Sequence, residues 1–190
     1  YLPKLVRAGN RVAICDQLED PKTVKGIVKR GVTELVTPGL SYNDQVLDTR
    51  KNNYLASIHF GKEKHGIAFF DISTGEFMCA EGNAAYLEKL LQSFTPSELI
   101  FSKAAKKVAS ELLKNDYVTF HCEDWVYQVD FTYDKLKNHF GTTSLKGFGI
   151  EDLPAASVAA GAILYYLEET EHKDIQHISS ISRIPEDKYV

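Results

Sequence analysis

The sequence predicts an α/β chain, a mixed sheet with flanking helices, preceded by a smaller α+β segment. Three observations carry that reading. Residues 54–81 contain three short apolar runs joined by brief polar stretches, the pattern of antiparallel hairpins. Residues 84–140 then alternate helical with extended patterns, as parallel strands require of their crossovers. A small-residue helix opens at Leu153-Pro154, where proline suits the first helical turn.

At the start of the chain, Leu2, Leu5 and Val6 have helical spacing that stops at Gly9-Asn10, and Arg11 to Leu18 reads as a strand centred on Val12-Ala13-Ile14. Asp20-Pro21 breaks it. Thr23 to Thr37 is rich in β-branched residues and is expected to be extended, ending at Pro38-Gly39. Strands are expected at Tyr54–Phe60, Gly66–Ile72 and Gly75–Glu81, with Ser73-Thr74 as a tight turn. Helices Ala84–Phe94, Ala104–Lys114 and Phe131–Phe140 alternate with strands Glu98–Phe101 and Tyr117–His121. Three antiparallel strands followed by β-α-β-α is the order of the ribonuclease-H-like fold. The helix Ala155–Thr170 and a strand-like run from His177 to Val190 complete the chain. The expected divisions are residues 1–39, a polar linker 40–53, a module 54–152, and a helix with the remaining residues, 153–190.

Composition limits the function classes. The 190 residues are 44% hydrophobic and 25% charged with net charge −4, so a uniformly basic nucleic-acid binder is excluded and any nucleic-acid contact must be local. Cys15, Cys79 and Cys122 are far apart and odd in number, which fits reduced thiols in a cytosolic protein better than a disulfide framework or structural zinc. The longest apolar run, Ala155 to Leu167, is shorter than the roughly 20 residues of a membrane-spanning helix. Starting at Tyr1 within a helical pattern, the chain reads as a fragment.

Motifs for common chemistries are sparse. No glycine-rich phosphate loop ends in Lys-Ser or Lys-Thr, and no Gly-x-Ser-x-Gly elbow occurs. His121-Cys122-Glu123-Asp124 is metal-capable in composition, but neighbours in an extended segment point to opposite faces. It reads as a strand end with solvated acids. Asp71, closing an apolar strand, invites a metal-dependent nuclease reading with Glu98, Asp116 or Asp130. The competing reading is a turn in which its carboxylate caps nearby N–H groups ahead of Ser73 and Gly75. Lys22, Lys25, Lys29 and Arg30 surround Gly26, a composition that suits close approach to phosphate. It equally suits a solvated strand edge. Composition does not choose between them.

A resemblance does. YLPKLVRAGNRVAICDQLEDPKTVKGIVKRGVTELVTPG resembles the end of the mismatch-binding domain of the bacterial MutS family of DNA mismatch repair proteins, with its Y-x-x-K-L-V helix, V-A-I-C-(D/E)-Q-L-E-D-P turn, K-G-(I/P)-V-x-R strand and V-T-P-G exit in the same order. DISTGEF, the P-x-E-L pattern of Pro96 to Leu99, and FGTTSLKGFGIED before an Ala-rich helix are similar to that family's connector domain and its junction with the lever.

The resemblance implies a partial α+β mismatch-binding domain segment at 1–39, a ribonuclease-H-like connector domain without nuclease chemistry at 54–152, and the start of the lever or core domain at 153–190. It implies a module that relays between the DNA-reading domain, the lever and clamp, and MutL. No Phe-x-Glu reader motif of the family's kind occurs in these residues. ATP and Mg²⁺ would belong to an ATPase domain of the full-length protein, leaving this chain with no cofactor and no catalytic residue. The implied partners are mismatched duplex DNA, MutL and a second MutS subunit, with no membrane, in a bacterial cytoplasm at the nucleoid. Arg30 is the first candidate DNA contact, with Lys29 and Lys25 secondary.

Overall fold

The computed structural model describes residues 1–41 and 52–186. The expected linker at 40–53 therefore falls largely outside the described residues, as do the last four positions of the strand-like run at 177–190.

The N-terminal segment is a short helix on a two-stranded ribbon. Helix α1 (Leu2–Arg7) packs Val6 against Val36, with Leu2, Val12 and Ile14 around them. Strands β1 (Val12–Gln17) and β2 (Arg30–Val36) pair antiparallel from Val12 opposite Val36 to Gln17 opposite Arg30. The expected extended run therefore begins only at Arg30. From Asp20 the chain turns instead, because the Asp20 carboxylate accepts the Lys22 N–H and the Asp20 carbonyl accepts both the N–H and the hydroxyl of Thr23. Propensity favours strand at Val24, Ile27 and Val28, but β1 has ended and offers them no partner.

The rest of the described chain is a three-layer unit. Its sheet runs in the order β7 (Thr119–Cys122), β6 (Glu98–Ser102), β3 (Leu55–His59), β4 (His65–Phe70), β5 (Phe77–Gly82) and β8 (Ser182–Arg183), with β3, β4 and β5 antiparallel, as expected of the hairpins. Strand β6 (Glu98–Ser102) joins β3 in parallel and β7 (Thr119–Cys122) joins β6 in parallel. Helix α2 (Ala84–Phe94), capped by the Asn83 side chain, and α3 (Lys106–Leu112) lie on one face. Helices α4 (Val129–Phe140) and α5 (Pro154–Glu169) cover the other.

Alternation along the strands divides two cores. Ala56, Ile58, Ile67, Phe69, Leu99 and Phe101 pack toward α2, while Leu55, Ala68, Phe70 and Ile100 pack toward α5, because successive strand residues point to opposite faces. Both faces being covered explains why these strands read as continuous apolar runs.

Helix α5 is buried almost all round, and its small residues allow that. A Cβ on Gly161 would lie 2.5 Å from Thr132 Cβ, and one on Gly66 only 1.9 Å from the Ala155 carbonyl oxygen. The Glu81 carboxylate accepts the N–H groups of Ala155 and Ala156 at 3.0 and 3.3 Å, satisfying donors that every helix start leaves open. No described helix is long and apolar enough to cross a membrane.

The strand-like run after His177 shortens to β8 (Ser182–Arg183), parallel to Met78 and Cys79 of β5. Its partner lies about a hundred residues back along the chain, which local pattern does not reveal.

Candidate nucleic-acid interface and its buried support

The ribbon ends in an exposed tip. Lys22, Lys25, Lys29 and Arg30 all face outward, and Ile27 is 97% exposed between them. Gly26, with φ of +123°, turns the chain in a region open to glycine and costly to other residues. Arg30 begins β2 opposite Gln17, so strand pairing fixes its backbone. The Lys29 N–H donates to the Glu19 carboxylate at 3.3 Å, and its Nζ lies 3.9 Å from the same side chain. Among the described residues, neither Lys25 nor Arg30 has an ion-pair partner. The structure thus brings Lys25, Lys29 and Arg30 to one end of the ribbon and leaves Lys29 partly engaged by Glu19.

The opposite end of the ribbon is buried. At its exit the Thr37 hydroxyl donates to Glu98 Oε1 at 2.6 Å and the Gly39 N–H to the same oxygen at 3.3 Å. The Tyr166 hydroxyl of α5 donates to Glu98 Oε2 at 2.9 Å. Glu98 is 1% exposed, and burial pushes its carboxyl above the usual range against the pull of Thr37, Tyr166, Arg11 and Gly39. Arg11 of the ribbon stacks its guanidinium 3.7 Å from the Phe120 ring centroid on β7 and 5.6 Å from that of Tyr166. Its Nη1 is buried without a hydrogen-bond partner. Beside this, the Leu35 N–H donates to the Thr170 carbonyl, and His172 Nε2 lies 3.3 Å from Glu34 Oε1.

The nuclease acids do not assemble. Asp71 is fully buried, and its carboxylate accepts the N–H groups of Ser73 at 2.9 Å and Asn53 at 3.2 Å, the turn arrangement that its sequence context predicts. Glu98 is engaged by Thr37, Gly39 and Tyr166, and among the described residues no three His, Cys, Asp or Glu side chains form a metal-holding group. In the His121-Cys122-Glu123-Asp124 run, Cys122 is buried while Glu123 pairs with Lys103 and Asp124 accepts the Ala104 N–H.

Sequence reasoning missed the supporting role of Glu98, Arg11 and His172. A signal existed for Glu98: a charged residue opening the apolar run Glu98-Leu99-Ile100-Phe101 will be buried with partners or not buried at all.

The sequence is matched by relatives. The family model for MutS domain I matches residues 1–45 and that for MutS domain II residues 53–179. Proteins named DNA mismatch repair protein MutS are similar along the whole chain: 63% identical in Cytophaga hutchinsonii, 60% in Flavobacterium psychrophilum and 54% in Bacteroides thetaiotaomicron. In each case the chain spans 22% of the relative's length. A ribbon of domain I type joined to a mixed α/β unit of domain II type, both matched by family models, makes this chain a member of the MutS family of DNA mismatch repair proteins.

Proposed function

We propose that the chain is the connector of a mismatch-recognition protein together with the adjoining edge of its DNA-facing module. The observation that carries this reading is the ribbon itself, which exposes cations and an apolar side chain at one end and is buried in the sheet unit at the other. Arg30 is the principal phosphate or minor-groove contact, with Lys25 and Lys29 secondary. Contacts of this kind position a duplex without reading its sequence.

The connector is of ribonuclease-H-like fold. In support, its first three strands are antiparallel, the fourth lies parallel to the first and the fifth parallel to the fourth. We divide the chain into 1–39, a linker 40–53 and a connector starting at 54. We extend the connector beyond 152 because α5 fills one face of its sheet. The module links the DNA-reading domain to the lever and clamp and relays to MutL. ATP and Mg²⁺, and the contact between two MutS subunits, belong to other parts of the full-length protein, which works in the bacterial cytoplasm at the nucleoid. This chain is assigned no catalytic step.

The test is duplex binding by the full-length protein over a salt series. Arg30→Ala is expected to weaken binding to mismatched and matched duplexes alike and to reduce the slope of log K against log salt by about 1. An unchanged affinity and slope would remove Arg30 from the interface.

A further inference from the structure

We propose that Glu98 is a positioning residue, a buried carboxylate latch that fixes the direction in which the ribbon leaves the sheet. The consequence for DNA rests on the ribbon tip being a duplex contact; the latch itself does not.

Three elements distant in sequence meet on this one side chain. Thr37 and Gly39 belong to the ribbon's exit, Glu98 opens β6 beside Leu55 of β3, and Tyr166 stands on α5. The exit turn is also pressed against the same residue. A Cβ on Gly39 would lie 2.8 Å from Glu98 Cβ and 3.1 Å from Leu55 Cα, so only glycine lets the backbone pass there. Leu40, the next residue, is fully buried in the core under α5. The ribbon therefore leaves the sheet at a point with no slack.

An apolar residue would fill the space at Glu98 without the cost of burying a charge. What a carboxylate adds is two oxygens that accept in two directions, one toward the ribbon and one toward α5. Arg11 supplies the compensating charge from the ribbon side while resting on Phe120 and Tyr166, so rotating the ribbon away removes both the donors and the counter-charge from a buried acid. A joint in which one orientation satisfies a buried charge and others do not holds that orientation.

The test measures the ribbon's placement directly, without DNA. In the full-length protein, with its exposed thiols including Cys15 replaced by serine, spin labels are attached through Val32→Cys on β2 and Lys107→Cys on α3, and the distance distribution between them is recorded. One narrow distance is expected with Glu98 intact. Glu98→Ala is expected to broaden and shift it, and Glu98→Gln, which keeps an oxygen for Thr37, to restore most of the native peak. Should Glu98→Ala fail to fold, Thr37→Val decides, since it removes the shorter of the ribbon's two hydrogen bonds to Glu98, leaving the longer one from the Gly39 N–H, and keeps the carboxylate and α5 in place. An unchanged narrow distance in folded Glu98→Ala, or in Thr37→Val, overturns the latch. Because Arg30 takes no part in this readout, loss of the DNA-contact reading would leave the result standing, and the reverse.

Discussion

Thr37 and Glu98, 61 residues apart in the chain, meet through a hydroxyl donating at 2.6 Å to a carboxylate oxygen in a fully buried setting. That contact ties the DNA-repair family's first domain to its second, and its acid titrates in a predictable direction. Burial raises the folded pKa of Glu98 above its ordinary value. The stabilisation linked to its protonation is present below the unfolded value and is lost as pH rises through the higher folded one. Glu98→Gln is expected to make stability less dependent on pH across that window, measured by urea unfolding at a series of pH values. An identical pH profile in wild type and variant would contradict the assignment.

His172 should show the opposite sign. Burial lowers its pKa, and Glu34 pulls it partly back. Its contribution to stability is present above about 6.5, the ordinary histidine value, and is lost as pH falls through the lower folded one. Following the ring protons by NMR, we expect a midpoint below that of an exposed histidine, and Glu34→Gln should lower it further. A midpoint that stays put in Glu34→Gln would mean that the carboxylate at 3.3 Å does not act on the ring.

Asp71→Ala is expected to cost about 1–3 kcal/mol in unfolding free energy, because the buried N–H of Asn53 and the partly buried N–H of Ser73 lose their acceptor. The wild-type protein incubated with labelled duplex and Mg²⁺ should leave it uncut. Mg²⁺-dependent cleavage abolished by Asp71→Asn would restore the nuclease reading.

Gly66→Ala is expected to destabilise by about 3 kcal/mol, the upper range for overpacking, since the new methyl meets the backbone carbonyl of Ala155. Gly147→Ala, with nothing within 4 Å of the added carbon, serves as the control and should change the melting temperature little. Equal effects of the two substitutions would show that β4 and α5 are not in close contact.

The three hairpin strands, the helix at Ala84–Phe94, the proline-led helix and the Asp71 turn could all be read from the sequence. Each depends on a period of two or of 3.6, a cap or a turn residue, and these act within a few neighbours. The family could be read as well, because its motifs are contiguous. Three things could not. Val24, Ile27 and Val28 look like strand but lie outside both ribbon strands, β8 finds its parallel partner across the fold, and Glu98 changes from a candidate metal-binding acid to a buried acceptor of three hydrogen bonds. Pairing and burial depend on what arrives from elsewhere in the chain, and a carboxylate's state depends on the donors and charges around it. Local elements and lineage are thus written along the chain, whereas the place where the ribbon is held, and the groups that hold it, come from packing, which sets the distant neighbours of each side chain.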